Sequence, residues 1–242
     1  MRDSRIFVCA VALGIALTAT ARADSPWTYV GVQALALTGV HQDAAGSQRG
    51  VAGGGFIELS IGGRRLRLHV EGVPVVSAPQ RASTFYGQAT PAVGIVDGAV
   101  RIALDPASRL FFGLGADVIN QHTPLPNLDQ VVASRLAGVR YELGYRAPLG
   151  GPRFIEAQIG AAPALYGRDI YTYSIPAPAV DEDERASEID YSLAFGIHHE
   201  RSELLLGLRA INFAAHFTAT GAPADRNAGF GLLAEWRALL TR

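Results

Sequence analysis

The chain has 242 residues, with 21 basic against 22 acidic side chains, a formal charge of −1 and a single cysteine. That balance excludes the basic footprint of a nucleic-acid binder, and one cysteine excludes a disulfide framework. Every basic residue is arginine, which stays charged and pairs with carboxylates through a planar fork of donors.

Arg2 and Arg5 precede an apolar run over 6–17, and Ala21-Arg22-Ala23 supplies a small-x-small step. This pattern predicts a secretory signal over 1–23. The run is too short to cross a bilayer of roughly 30 Å as a helix. Cys9 lies inside it, preceded by Phe7 and Val8 rather than the small residue of a lipoprotein site. The mature chain, 24–242, is therefore expected to be a single domain without a thiol, keeping 18 arginines against 21 acids. No later apolar run reaches 18 residues, so no spanning helix is expected.

Beyond the signal the chain reads as strands. Leu66, Leu68 and Val70 alternate with Arg67, His69 and Glu71, a period of two with charge on one face and apolar groups on the other. The same pattern, bounded by Gly, Pro and Asp, predicts ten strands at 27–37, 51–61, 65–76, 92–104, 110–119, 134–147, 154–166, 188–198, 203–217 and 228–240. Gly98 interrupts the fourth. The eighth sets Ile189, Tyr191, Leu193, Phe195 and Ile197 against Asp190, Ser192, Ala194, Gly196 and His198. The tenth sets Phe230, Leu232, Ala234 and Trp236 against Glu235 and Arg237.

The connections alternate in length. Those after the second, fourth, sixth and eighth strands are hairpin turns, at Gly62-Gly63 and Asp105-Pro106-Ala107-Ser108 among others. The others are longer: 38–50, 77–91, 120–133, 167–187 and 218–227. Short turns on one end and long loops on the other are the habit of outer-membrane barrels. The expectation is an all-β fold, a closed antiparallel up-and-down transmembrane β-barrel of about ten strands (range eight to twelve). Trp27, Tyr145, Tyr166, Phe217 and Trp236 are expected in its interfacial girdles.

The polar faces then belong to the interior. They carry the acids Glu58, Glu71, Asp97, Asp117, Glu142, Glu156, Asp190, Glu203 and Glu235. They also carry the bases Arg65, Arg67, Arg101, Arg140, Arg146, Arg209 and Arg237, with His69 and His198 nearby. Unpaired, such charges cost several kcal/mol each in a narrow barrel, so a salt-bridged ladder is expected. A narrow channel with opposed charges is the sharper reading, and ten strands are too few for a wide pore. The acidic run Asp181-Glu182-Asp183-Glu184 in the longest loop offers carboxylate oxygens to a divalent cation, but lacks the glycine and ligand spacing of an EF-hand. It is read as a solvated loop tip, and no cofactor is called for.

The signal, the amphipathic strands, the loop asymmetry and the ending 229–237 together resemble small Gram-negative outer-membrane β-barrel proteins. The resemblance implies a cell-envelope protein in the outer membrane, porin-like in architecture and structural, surface-binding or narrow-channel in role, without enzymatic activity. Its partners would be membrane lipid and the barrel-assembly machinery. That machinery reads a terminal aromatic residue in such proteins; here the chain ends Leu239-Leu240-Thr241-Arg242, with Trp236 and Leu240 as substitutes.

Two alternatives rest on particular residues. His216-Phe217-Thr218-Ala219 occupies the place of the late His-x-Ser-Asn motif of outer-membrane lipid A deacylases, with Glu235 on the next strand. That similarity implies an ester hydrolase using His216, Thr218 and Glu235 as base, nucleophile and orienting acid. A soluble periplasmic carrier of lipocalin type is the other, and it would require the apolar faces to point inward.

Overall fold

The computed structural model describes residues 28–43, 46–77, 80–81, 88–89, 92–125, 130–173, 180–217 and 225–240. Among them, ten strands close into one antiparallel barrel: β1 (Tyr29–Asp43), β2 (Gly46–Gly62), β3 (Leu66–Ser77), β4 (Ala92–Ala103) and β5 (Leu110–Leu125), then β6 (Gln130–Gly150), β7 (Arg153–Tyr173), β8 (Val180–His199), β9 (Ser202–Phe217) and β10 (Asp225–Leu239). Each pairs with its sequence neighbours, and β1 closes on β10 in unbroken register from Tyr29↔Leu239 to Gln42↔Arg226. The signal segment lies outside the described residues.

Closure removes the unpaired edge that an open sheet would present. It also pairs the backbone strand to strand all the way around the wall, which a hydrocarbon surrounding demands. The apolar faces point outward: Ile57 and Leu232 are each 68% exposed, and Leu193, Phe195, Leu206 and Trp236 are exposed as well. A lipocalin-like carrier would have these side chains inside, so that alternative fails on their direction.

The short connections are those expected from the sequence. At one turn Asp105 accepts hydrogen bonds from the backbone of Ala107 (3.1 Å) and Leu110 (2.7 Å), while Ser108 takes a left-handed φ of 57°. At another, Gly150 and Gly151 take φ of 102° and 58°, conformations that suit glycine. Arg65 corrects an expectation. Instead of facing the interior it stands exposed in the turn between β2 and β3, because β3 begins only at Leu66.

The other ends differ from the expectation. Much of the predicted long loops 38–50, 120–133 and 167–187 is strand: β6 and β7 run 21 residues each and β8 runs 20. At about 3.3 Å per residue this is far more than a tilted bilayer crossing requires, so the sheet continues beyond the membrane. Within 77–91, residues Gln80–Arg81 and Gln88–Ala89 pair as a small ribbon. Gly98 does not interrupt β4; it pairs with Val70 and Ala116.

Pro163 marks a place in the described wall where the alternation reverses. Around it β7 carries one residue more than either neighbour, between Ala161↔Tyr141 and Leu165↔Gly138 on one side and between Ala162↔Glu188 and Leu165↔Ala186 on the other. Proline has no N–H for the ladder, so the extra residue falls here as a bulge. Inward positions therefore switch from even numbers (Phe154 to Ala162) to odd ones (Leu165).

Candidate functional site: the filled lumen

Period-2 alternation delivers a column of side chains from each strand into the lumen. From the turn end upward β1 presents Tyr29, Gly31, Gln33, Leu35 and Leu37, and β5 presents Phe111, Gly113, Gly115, Asp117 and Ile119. On these two strands Gln33 and Asp117 stand below the leucines and isoleucine, whereas on β8 the buried Glu188 and Glu184 carry polar groups higher.

The polar half is one connected network, and its hub is Arg140. This fully buried guanidinium lies 2.5 Å from Asp190, 3.1 Å from Glu142 and 3.7 Å from both Asp97 and Asp117. It reaches Asp190 on β8 by crossing β7 over Gly160, where a Cβ would overlap the guanidinium and the Asp190 carboxylate. Asp190 passes the network on to Arg209 (3.5 Å), which also binds Glu71 (2.5 Å). Glu142 passes it to Arg101 (2.6 Å), which donates a further bond to Gln158 (3.1 Å).

A second hub lies nearer the turns. Arg237 binds Glu156 through both terminal nitrogens (3.0 and 2.9 Å), binds Glu235 on its own strand, and stands 3.6 Å from Glu58. Arg146 joins Glu156 (3.4 Å) to Glu203 (2.5 Å), and His198 approaches Glu203 at 3.3 Å. Glu58 also accepts from Tyr29 and from Gln33 (3.1 Å), with His69 at 3.3 Å.

Several guanidiniums use their faces as well as their edges. Arg146 stacks over Phe154 (3.8 Å to the centroid), Arg67 (4.4 Å) and Arg101 (4.9 Å) over Phe111, Arg209 over Phe56 (4.6 Å) and Arg237 over Tyr29 (4.6 Å). Two of these rings lie flat on glycines directly across the ladder. A Cβ at Gly144 would enter the Phe111 ring, and one at Gly196 the Phe154 ring.

Above the network sits an apolar layer: Leu35, Leu37, Phe56, Ile95, Ile119, Leu136, Ala162, Leu165 and Ala186, with Ile211 and Phe213 packed against it. The sequence pattern does not announce it. On β1 both faces are apolar around Ala34 to Leu37, so alternation there carries no signal of which side is which. Below the layer, a cavity of about 20 Å³ lined by Gln33, Glu71, Asp190, Ser192 and Arg209 has room for about one water.

Of the expected interior set, all except Arg65 point into the lumen. Gln158 joins them on the face that alternation with Glu156 and Gly160 assigns it, and Gln33, Glu184 and Glu188 join without having been expected there, although Glu188 shares the parity of Asp190 and Glu184 that of Glu188. With them the described lumen holds eleven carboxyl groups against six guanidiniums, an acidic excess wider than the nine acids and seven arginines expected from the sequence.

The hydrolase constellation does not assemble. Ala215, the residue before His216, pairs with Asp225, and Glu235 lies ten residues further along β10, about 33 Å away. Glu235 is instead bound to Arg237. Thr218 lies outside the described residues, as does Trp27. Side chains of His216 and Phe217 are not described. The acidic run is likewise not a loop tip but the start of β8, where alternation sends neighbours to opposite faces. Asp183 is exposed and 3.7 Å from Arg168, whereas Glu184 is buried and accepts from Ser134. The side chains of Asp181 and Glu182 are not described. Among the described residues no group of three or more His, Cys, Asp or Glu is arranged to hold a metal ion.

No protein-family model and no curated protein sequence matches the chain. Solved structures do. The outer membrane protease OmpT of Escherichia coli is similar over 87% of this chain and 96% of its own length, with a TM-score of 0.53 at 10% identity. The β domain of the Bordetella autotransporter BrkA matches over 87% and 99% (14% identity, TM-score 0.43), and Neisserial surface protein A over 86% and 96% (12%, 0.39). At these identities the likeness is one of fold. A closed ten-stranded barrel with an apolar exterior and a charged interior is the outer-membrane barrel fold, and this chain has it.

Proposed function

We propose that this barrel is a sealed membrane anchor for its extended outer rim, acting in a structural or surface-binding role rather than as a channel or an enzyme. One observation carries the reading: the lumen is filled twice, by the Arg140 and Arg237 networks and by the apolar layer of Leu35, Ile95, Ile119, Leu136 and Leu165 above them. An ion crossing that layer would shed its water against hydrocarbon, as at a hydrophobic gate. The strands that continue past the bilayer give the anchor something to present, since β6, β7 and β8 each run 20 or 21 residues. Separation of His216 from Glu235 leaves the ester-hydrolase alternative without an orienting acid. The role of OmpT as a protease belongs to OmpT; a fold shared at 10% identity does not bring the activity here.

Planar-bilayer recording tests this. Protein shown to be folded by heat-modifiable gel migration should give no conductance steps at any holding voltage. Sustained, voltage-independent steps from the same preparation would replace the anchor with a channel.

A further inference from the structure

The outer wall carries a basic cluster that a sealed lumen neither uses nor depends on. On β6, β7 and β8 the exposed apolar belt runs up through Leu143, Tyr141 and Val139, through Ile159, and through Phe195, Leu193 and Tyr191. It ends at Tyr166, which is 58% exposed because the bulge at Pro163 has turned the next stretch of β7 around. The row above is charged. Arg168 on β7 stands directly across from Arg135 on β6 and from Asp183 on β8. Arg185 on β8 stands across from Tyr166, with its guanidinium 5.7 Å from the ring centroid. All three arginines are exposed.

Three guanidiniums thus share a patch three strands wide and two residue rows high, where directly opposed side chains start about 5 Å apart. Like charges opposite one another on a ladder repel. Asp183 stands 3.7 Å from Arg168, in a pair largely exposed at both ends. The height of the patch fixes what meets it: one row above an interfacial tyrosine is head-group level. Guanidinium forks match phosphate oxygens two at a time, and a doubly charged phosphate between Arg135 and Arg168 offsets the repulsion of two cations opposed on one ladder. Because this is the outside of the wall, the neighbour is a lipid.

We propose that Arg135, Arg168 and Arg185 bind the phosphate of a phosphorylated lipid head group in the outer leaflet, whose acyl chains lie along the belt below. The site fixes the rotational setting and height of the barrel in the membrane whether or not the lumen conducts.

The test is a titration of the intact barrel in neutral detergent with phosphatidic acid, phosphatidylcholine and inorganic phosphate, read by native mass spectrometry. Phosphatidic acid should be retained in preference to phosphatidylcholine. The triple variant Arg135→Gln, Arg168→Gln, Arg185→Gln should lose about 10- to 100-fold in affinity for it. Arg226→Gln, an exposed arginine on β10 away from the patch, should bind like wild type. Unchanged affinity in the triple variant, an equal loss in Arg226→Gln, or displacement of the lipid by inorganic phosphate alone would each overturn the proposal. If the triple variant does not fold, Arg168→Gln alone is read in the same way, with a loss of about fivefold.

Discussion

The lower and upper halves of the lumen fill the same cylinder with opposite chemistry. Below, Arg140 and Arg237 hold carboxylates from six other strands in contacts of 2.5–3.9 Å. Above, Leu35, Ile95, Ile119 and Leu136 pack as an apolar layer, with the buried Glu188 at its edge between Ala162 and Phe213. A charged filling is directional: each guanidinium fits a fixed set of acids and fails if one moves, because an unpaired buried charge is costly. An apolar filling has no such partners and loses only area and volume. The network therefore fixes which strand stands beside which, and the apolar layer closes the bore.

That contrast is open to mutation. Arg140→Ala should have the largest effect, since it takes the guanidinium from Asp97 and Asp117 and leaves Asp190 with only Arg209 of the two guanidiniums it joins. A loss of about 3–5 kcal/mol is expected in urea unfolding of the detergent-solubilised barrel. A cost under about 1 kcal/mol would show that the acids do not need this cation. Leu136→Ala, in the apolar layer, should cost about 2–4 kcal/mol, as a buried cavity does. Its loss should not change with salt, whereas that of Arg140→Ala should, because only the latter removes a charge. Gly144→Ala places a methyl group in the Phe111 ring and should cost about 1–3 kcal/mol. Adding Phe111→Leu should recover part of it, and additive losses would show that ring and glycine are not coupled.

Much of this architecture is legible in the sequence. The outward stripes Ile189–Ile197 and Phe230–Trp236, and the inward charges between them, follow from a period of two with sharp polar contrast. Ten strands follow from turn residues and loop lengths. The hidden features are hidden for local reasons. On β1 alanines and leucines fill both faces, so Leu35 and Leu37 give no sign of facing inward. Around Pro163 the parity reverses, which no periodicity template anticipates, and only the structure places Tyr166 and Arg168. Arg65 continues an alternation that the turn has already ended. The outer loops come out too long from sequence because small and polar residues there, such as Gly46–Gly50, are compatible with strand once a neighbour supplies the ladder. The wide separation of His216 and Glu235 is a matter of register, which no motif encodes.

The seal itself can be probed from inside. Ser192 lines the small polar cavity beneath the apolar layer, and the chain from Asp24 onward has no cysteine, so Ser192→Cys gives a single thiol at that point. In folded barrel a charged thiol reagent added to the detergent solution should fail to modify it, and should modify it fully once the barrel is unfolded. Adding Leu136→Ala and Leu165→Ala should open a path and restore rapid labelling. Rapid labelling of Ser192→Cys in the otherwise unaltered folded barrel would mean that water and ions reach the network freely, and the sealed lumen would be wrong.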